Sequence, residues 1–479
     1  MVAARLVAIE LNDAGVVAAR WDAGEARPVL QGPPSPGFAV LHDGRVLVGQ
    51  EAFERHRLAP LYAQNRYWQA LGVEPLPWSA AGVATAADLA HAHLSALLAP
   101  AIAAGANEAV LAVAPGYTRE QLGLLVGIAN EAGATVRGLV DLGIAAAATV
   151  PPAPHMLHLD LQLHQAAATL LESSRADGVL RRARYELLPG AGVIAFNQAI
   201  AGSIATTFVR ETRFDPLHEA MTEQRLHDRM PGWLAGLAEQ DEVEAAIEAG
   251  GLTHQVTLQR SELIAAVAKP AADVLRLVQG ARPAGTMLHV CITPRVAAVP
   301  GLLANLTALR DCTVVMLEPG AAAVGALQAA AAIVRAPDSI SLVHRLPLPG
   351  ATEALATTAV AGSDAVPAES VPTHVLFRGR AWPLTDVPLT LGWSVGAAAR
   401  ALALPAGIAG VSRSHCALWL REGQAIVEDQ STYGTFVNDE RVGGRVALRV
   451  GDALRLGAPG VTLELIRVME SFPSHHGTA

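Results

Sequence analysis

The sequence is poor in cysteine, in aromatic side chains and, above all, in lysine. Its 479 residues include three cysteines, and aromatic residues make up 4%. The cysteines lack the spacing of a metal site, and their odd number without a secretory leader argues against a disulfide-stapled secreted domain. We therefore expect a cytoplasmic protein. Lys269 is the only lysine, so a site that requires a lysine elsewhere cannot form.

Basic residues are outnumbered by acidic ones. The net charge of −9 argues against nucleic acid and anionic membrane surfaces as partners. Hydrophobic residues make up 51% of the chain, which indicates a globular protein, and the length of 479 residues predicts two or three domains. Residues 187–209 carry no charge, but their glycines, amides and hydroxyls indicate a buried amphipathic helix. We expect no membrane insertion.

The first 335 residues alternate between strand-like and helix-like segments. Residues 6–11 and 16–21 predict a first hairpin, and Asp43-Gly44 is a two-residue turn typical of a second one. Helices and strands then alternate, and a similar order of strands followed by helices begins again near residue 179. This pattern predicts an α/β domain with mixed sheets and an internal repeat.

Composition divides the remainder of the chain into three parts. Residues 336–371 are rich in proline, alanine, threonine, serine and glycine, which predicts a flexible linker. Residues 372–468 contain short strand-like runs separated by turns and predict an all-β sandwich. Residues 469–479 predict a disordered tail.

Two clusters of small polar residues lie in the predicted sandwich. Residues 412–415 read SRSH and residues 431–435 read STYGT, and each adjoins a short apolar run. Loops at one end of a sandwich can converge hydroxyls, N–H groups and the Arg413 guanidinium on an anion. A phosphate dianion favours this set, because charge-assisted hydrogen bonds are roughly twice as strong as neutral ones. Glu428 and Asp429 are predicted to orient the second loop.

The motifs GVSRSH, VEDQSTYGTFVN and LRVGDALRLG resemble, in order and spacing, the forkhead-associated (FHA) domain, which reads phosphothreonine. The resemblance implies an FHA domain over residues 372–468. It implies phosphopeptide-binding roles for five residues: Ser412, Arg413, Thr432, Tyr433 and Asn438. It also implies that His415 braces the first loop and that Gly434 permits a tight bend.

Two positions depart from the FHA pattern. Trp393 follows Gly392 where the family has an arginine, so one cation that contacts phosphate or peptide is lost. Tyr433 replaces an asparagine that holds the peptide main chain. These departures predict weakened phosphate binding, and they leave open a sandwich that docks onto a protein without reading phosphate.

The first 335 residues resemble actin-like ATPases of the DnaK heat-shock type. The resemblance rests on the shared order of several motifs: VLVGQEA, AVAPGYTREQL, DLGIAAAA, LLPGAGVIAFNQAIAGSIATTF, VTLQRSELIAAVAKPAADVL and EPGAAAVGALQAAA. It implies a two-lobed α/β fold with a cleft for ATP and magnesium.

The nucleotide motifs of that family are degenerate in this chain. Phe53 stands in the segment that should carry the catalytic lysine, and the glycines of both phosphate loops and the adenosine loop are missing. Seven residues occupy the degenerate cleft: Glu10, Asn12, Asp13, Phe53, Asp160, Gln162 and Thr293. This favours a pseudo-ATPase without a cofactor. Under the alternative, an active ATPase with rebuilt phosphate loops, ATP and magnesium would bind.

Four polar residues, His158, Asp160, Gln162 and His164, alternate in the sequence and would share one face of a strand. Histidine and aspartate can bind zinc. Residues four apart on a strand are ~13 Å apart at the backbone, however, so the pattern favours a polar strand face over a metal site.

These observations predict a bacterial-type cytoplasmic adaptor that is not an enzyme. Its FHA domain would recognise a phosphothreonine-bearing protein, a substrate of a Ser/Thr kinase, and its pseudo-ATPase region would be an interaction platform. Two alternatives stay open: an active DnaK-like or actin-like ATPase, and a structural docking protein in which neither pocket functions.

Overall fold

The chain forms two compact units, Met1–Thr357 and Thr358–Ala479. The computed structural model describes these residues: 5–21, 28–80, 82–174, 178–283, 285–334, 340, 342–348, 371–377, 380–395, 399–405, 407–408, 410–421, 423–438, 440–450, 452–457 and 460–466. The predicted tail, residues 469–479, lies outside them, as does most of the predicted linker.

The N-terminal unit is a mixed α/β structure. Its strands are β1 (Leu6–Leu11), β2 (Val17–Trp21), β3 (Pro28–Leu30), β4 (Ala39–His42), β5 (Arg45–Val48), β6 (Ala63–Gln64), β7 (Pro75–Ala80), β8 (Val83–Thr85), β9 (Glu108–Val113), β10 (Thr135–Asp141), β11 (His155–Leu161), β12 (Gln165–Ser174), β13 (Val179–Pro189), β14 (Glu242–Ala249), β15 (Leu252–Gln259), β16 (Leu288–Ile292), β17 (Cys312–Met316), β18 (Leu342–Val343) and β19 (Arg345–Pro347). Its helices are α1 (Gly49–Phe53), α2 (Ala86–Ala103), α3 (Arg119–Glu131), α4 (Leu142–Ala147), α5 (Val193–Thr212), α6 (Ala220–Glu239), α7 (Arg260–Ala281), α8 (Pro294–Ala297), α9 (Leu302–Thr307), α10 (Ala321–Gln328) and α11 (Ala330–Ile333).

Two six-stranded sheets of this unit share the order of five strands, and the sixth strand is added at opposite edges. One runs β18-β10-β9-β1-β2-β3, and the other runs β17-β16-β11-β12-β13-β19. In each, three consecutive strands pair antiparallel, and the first of them also lies parallel to a strand that arrives after intervening helices. This shared order confirms the predicted internal repeat at the level of topology.

The first strand of each repeat lies in the middle of its sheet and is covered on both faces. β1 has the sequence LVAIEL and is buried throughout. Val7 and Ile9 pack into one hydrophobic cluster and Leu6 and Ala8 into another, which is why the strand is a nearly continuous apolar run. Glu10 is the one polar residue of β1, and it is buried like the others, with 4% of its surface exposed. A buried carboxylate at this place needs partners.

Helix α2 is long and apolar enough to cross a membrane by length and composition, and 39% of it is buried within the unit. Thr85 caps its first turn, since its hydroxyl accepts a hydrogen bond from the Asp88 N–H and the Asp88 carboxylate accepts one from the Thr85 N–H. Leu89, Leu94 and Leu98 are fully buried in the core. A core helix passes the same test, so α2 alone assigns no membrane.

Residues 342–348, which lie within the predicted linker, belong to the N-terminal unit. Within residues 336–371, β18 pairs parallel to β10 and β19 pairs antiparallel to β13. Val343 and Leu346 are buried against the strands they join. The linker prediction is wrong for these residues. The strands β18 and β19 have two and three residues, which is too short for a periodic pattern, so the proline-rich and alanine-rich composition was the stronger signal.

The C-terminal unit is a β-sandwich, as predicted. Its strands are β20 (His374–Phe377), β21 (Arg380–Pro383), β22 (Leu389–Gly392), β23 (Arg400–Ala403), β24 (Cys416–Arg421), β25 (Gln424–Asp429), β26 (Thr435–Val437), β27 (Glu440–Arg441), β28 (Arg445–Leu448), β29 (Ala453–Leu456) and β30 (Val461–Ile466). One sheet runs β21-β20-β30-β29-β26-β27 and the other β23-β22-β24-β25-β28. Alternate apolar residues of both sheets, such as Leu418, Val427 and Leu454, form its core.

Candidate functional site

Most of the predicted site residues fall into two groups, one in each unit. In the N-terminal unit, the chain beyond β1 meets the carboxyl end of β11 from the other sheet. The Asn12 amide donates to Asp160 Oδ2 at 2.7 Å and to the Leu161 carbonyl at 3.2 Å. The two repeats therefore touch at equivalent ends of their first strands, and polar groups fill this junction.

Arg295 lies at the centre of the junction. It belongs to the short helix α8, and its guanidinium contacts Asp160 through Nε (3.2 Å) and Nη2 (2.9 Å). The same Nη2 donates to Glu10 Oε1 at 3.1 Å, and Nη1 lies 3.5 Å from the Gly15 carbonyl oxygen. One guanidinium thus joins the carboxylates of both sheets.

The carboxylate oxygens at the junction have further donors. The Thr293 hydroxyl donates to Asp160 Oδ1 at 2.5 Å, and the Ala322 N–H at the start of α10 donates to Glu10 Oε2 at 3.1 Å. With the bonds from Arg295, every oxygen of these two carboxylates accepts at least one hydrogen bond. Buried carboxylates need an opposite charge and a hydrogen-bond donor for each oxygen, and both are present here.

The electrostatics of the junction follow from burial and the guanidinium. Burial disfavours the charged form of Arg295, but Asp160 and Glu10 outweigh that effect and raise its pKa. Burial alone would raise the pKa of Asp160, yet Arg295 lowers it below the usual value. Glu10 has the opposite balance, since burial outweighs Arg295 and raises its pKa. Asp160 is therefore the carboxylate that is most firmly paired with Arg295.

Asp13 lies beside this network and has no cation within hydrogen-bond distance in the described part of the chain. Its Oδ1 accepts from the Leu163 N–H at 2.8 Å. Burial raises the pKa of Asp13 to about 6, and the hydrogen bond offsets only part of the rise. Its charge is therefore destabilising at neutral pH.

Gln162 and Phe53 occupy separate surroundings. Gln162 Oε1 accepts from Gln165 Nε2 at 2.5 Å, beside a cavity of about 140 Å³ that Asp13 also lines. Phe53 packs against Phe38 and His56, with ring centroids 5.2 and 5.5 Å away. It is thus part of an aromatic cluster and brings no charge toward the junction.

The shared strand face predicted for the four polar residues is only partly present. β11 ends at Leu161, so His158 and Asp160 share a face, whereas Gln162 and His164 lie in the turn before β12. The His164 Nε2 lies 3.1 Å from the Asn65 carbonyl oxygen. Among the described residues, no group of three His, Cys, Asp or Glu side chains is placed to hold a metal ion.

Arg295 was not among the residues singled out by sequence, although Thr293, two positions earlier, was. The sequence contains one sign of it: an arginine directly follows Thr293 and Pro294, in the segment where actin-like ATPases have the glycines of the adenosine loop. Its importance depends on α8 facing both sheets, which no local pattern specifies.

In the C-terminal unit, the two polar clusters lie together as predicted. The loop before β24 carries Ser412, and the loop between β25 and β26 carries Thr432. The Thr432 N–H donates to the Ser412 hydroxyl oxygen at 3.2 Å. This bond holds the two loops side by side while the Ser412 O–H hydrogen stays free to donate elsewhere.

His415 braces both loops from inside the sandwich. Its Nδ1 accepts from the Ser412 N–H at 3.0 Å, so Nε2 carries the proton and donates to the Gly434 carbonyl at 3.1 Å. The residue is fully buried, and burial lowers the pKa of its imidazole. The neutral tautomer therefore fixes the spacing of the two loops.

Asp429 orders the second loop, as predicted. Its Oδ1 accepts from the Ser431 N–H at 3.0 Å, from the Ser431 hydroxyl at 2.7 Å and from the Thr435 hydroxyl at 2.8 Å. These bonds outweigh partial burial and lower the pKa of Asp429. Glu428 does not take part in the loop, because it pairs with Arg445 at 2.9 Å.

The exposed side chains around these loops include a cation and two aromatic rings. The Arg413 side chain is exposed, and its guanidinium carbon lies 5.5 Å from the centre of the Trp393 ring. Trp393 is 40% exposed and Tyr433 is 58% exposed. The Trp393 backbone N–H donates to the Ser412 carbonyl oxygen at 3.3 Å, so the chain directly after β22 lies beside the first loop.

Asn438 directly follows β26, at the opposite end of that strand from the second loop. Its side-chain amide donates to Asp452 at 2.8 Å and its oxygen accepts from the Ala453 N–H at 3.0 Å. Its backbone has a φ of 51°, a conformation that asparagine tolerates well. The side chain thus braces a turn within the sandwich.

Comparison with known protein families identifies the C-terminal region. Residues 393–457 match the FHA domain family, and this segment contains both polar loops. The chain matches no curated protein. The matches give no support to the resemblance of the first 335 residues to actin-like ATPases.

Proposed function

Starting from an FHA domain in the C-terminal unit, we propose that this protein is a non-catalytic cytoplasmic adaptor. FHA domains bind phosphothreonine-bearing proteins, and the proposed partner is a substrate of a Ser/Thr kinase. The N-terminal unit is proposed as an actin-like pseudo-ATPase that acts as a protein-interaction platform. The protein itself performs no chemistry under this proposal.

The observation that carries the phosphate-reading part is the arrangement of the two loops. Ser412 and Thr432 are joined by a direct hydrogen bond, and the buried His415 holds the loops from behind. Arg413 is exposed beside them. A phosphate with about −1.5 to −2 charges would receive one charged contact from Arg413 and neutral contacts from the hydroxyls. Preformed loops of this kind bind without first being ordered.

The actin-like part of the proposal is supported by the repeated strand order and by the meeting of the two first strands. A nucleotide does not fit the residues at that meeting point. Its magnesium ion would need Asp160, which is paired with Arg295, and the phosphates would face the carboxylates of Glu10 and Asp13. Under this proposal the N-terminal unit therefore takes no nucleotide.

Phosphate reading is tested with fluorescently labelled peptide pools that contain phosphothreonine in degenerate flanks, with threonine pools as the control. Full-length protein should bind the phosphorylated pool with a Kd of about tens of micromolar, and Arg413→Ala should abolish the difference between pools. Arg445→Ala is the matched control, because Arg445 is paired with Glu428. Equal binding of both pools by the wild-type protein would favour a plain docking module.

The absence of nucleotide binding is tested by thermal unfolding with and without millimolar Mg-ATP. A ligand at 100 times its Kd would stabilise the fold by about 2.7 kcal/mol, which raises Tm measurably. No shift is expected. A rise of several degrees would favour the active ATPase instead.

A further inference from the structure

The side chain of Arg441 lies against the second phosphate loop. Arg441 pairs with Phe436 in the short β26–β27 hairpin, and its side chain extends back along β26 to Gly434. A Cβ atom on Gly434 would lie 2.8 Å from Arg441 Nε and 3.3 Å from its guanidinium carbon. The guanidinium therefore covers the face of Gly434 that a side chain would fill.

Gly434 is buried at the end of the second loop, close in the chain to Thr432 of the candidate phosphate site. It follows Thr432 by two residues, and its carbonyl accepts from His415, whose other nitrogen holds Ser412. Its φ of 85° is one that glycine adopts without strain. Glycine at this position thus allows both the bend and the close approach of Arg441.

Among the described residues, none accepts a hydrogen bond from the Arg441 guanidinium. The residue is exposed, and the described part of the chain holds no ion-pair partner for it. Other arginines of the sandwich are used: Arg445 pairs with Glu428, and Arg400 donates to Thr385 and to backbone carbonyls. A guanidinium held beside a loop without an acceptor is ready for an incoming anion.

We propose that Arg441 is the second cation of the phosphate site and replaces the arginine that is lost at Trp393. The inference rests on the proposed phosphothreonine-reading function and names the group that completes it. Arg413 approaches the phosphate from the first loop, and Arg441 approaches it from the second, past Gly434. Two guanidinium groups match the dianion, whereas Arg413 alone leaves part of its charge unpaired.

The test uses the full-length protein and the phosphothreonine and threonine peptide pools described above. Arg441→Ala should weaken binding of the phosphorylated pool about tenfold, the loss expected for one charged contact. Arg441→Lys should retain part of the affinity, because the charge stays but the fork geometry is lost. Arg445→Ala, which removes an equal charge elsewhere on the domain, should change affinity by less than about twofold.

Two further measurements separate phosphate contact from a structural role. Loss of a cation that contacts phosphate should reduce the salt dependence of binding, whereas loss of a loop brace should not. Adding Trp393→Arg to Arg441→Ala should restore affinity by supplying the cation from the other loop.

The outcomes distinguish the two proposals. If the wild-type protein prefers the phosphorylated pool and Arg413→Ala removes that preference, but Arg441→Ala behaves like Arg445→Ala, the assignment of Arg441 is wrong and phosphate reading stands. If the wild-type protein does not distinguish the pools, both proposals fall.

Discussion

The two candidate sites use similar side chains in opposite ways. At the junction of the N-terminal unit, Glu10 and Asp160 are buried and bind a cation from the same chain, Arg295. At the sandwich loops, Arg413 is exposed and the Ser412 hydroxyl keeps a free donor hydrogen. The first site is complete without a ligand, whereas the second has unused capacity for an anion.

This difference shows where polar residues stabilise the fold and where they are free for binding. Buried ions require partners on every side, so removal of one partner exposes an uncompensated charge. Exposed ions are compensated by water, and their removal changes binding far more than stability. Substitutions at the two sites should therefore separate into stability effects and affinity effects.

The largest effect is expected from Arg295→Met, which keeps the aliphatic stem and removes the charge. It leaves Glu10 and Asp160 buried together without a cation, which should destabilise the N-terminal unit by about 3–5 kcal/mol. Urea unfolding followed by helical circular dichroism measures this, because the described helices all lie in the N-terminal unit.

Arg210→Ala is the control for that experiment. Arg210 pairs with Glu211 and Glu262 at the surface, and its removal should leave the unfolding midpoint unchanged. If Arg295→Met also left the midpoint unchanged, the junction would not be a buried ion network that the fold depends on.

A second stability effect concerns Asp13 and depends on pH. Its folded pKa, about 6, lies above the usual 3.8, so the folded state disfavours the charged form. Stability is full below pH 4, falls as the pH rises to about 6, and stays low above it. Asp13→Asn should remove this loss of about 3 kcal/mol and stabilise the protein at pH 8 but not at pH 4. Parallel stability curves for the two proteins across this range would contradict the argument.

Local patterns account for the strands of both units but not for the junction. β1 is predictable because its apolar run is interrupted only by Glu10 and a turn, Asn12 to Gly15, follows. The partners of Glu10 are not predictable in this way, since Arg295 is 285 positions away. The contact depends on how two repeats face each other, which strand and helix periodicity does not specify.

His415→Ala tests the link between stability and binding in the sandwich. It leaves the Ser412 N–H and the Gly434 carbonyl without their partner, which should destabilise the domain by about 2 kcal/mol and weaken binding of the phosphorylated pool. Hydrogen exchange of β24 and β26 should increase. The N-terminal helices serve as the internal control, because their exchange should not change.

The sandwich loops were more predictable than the junction. Ser412, His415 and Thr432 lie close together because short strands carry both loops to one end, and turn residues mark where the strands stop. Arg441 could not be singled out from sequence, since it lies in a two-residue strand and only its register opposite Phe436 directs it to Gly434.

The smallest effect is a gain of affinity in Trp393→Arg. Trp393 is exposed and stacks with Arg413, so an arginine there would add a charge next to the loop without disturbing the core. Binding of the phosphorylated pool should strengthen by up to about tenfold, with Tm unchanged. Trp393→Phe is the control, since it shortens the ring and adds no charge. A gain in Trp393→Phe equal to that in Trp393→Arg would attribute the effect to loss of the indole.

The Arg295 side chain fills the junction between the two sheets in the way a bound ligand would, but it is covalently part of the chain. A soluble ligand leaves its site when its concentration falls, but a side chain of the same molecule remains at a fixed, very high local concentration. The contact between the two sheets is therefore established once, when the chain folds, and it does not vary with the supply of metabolites. Any molecule that is to separate the sheets must first displace a residue that cannot diffuse away.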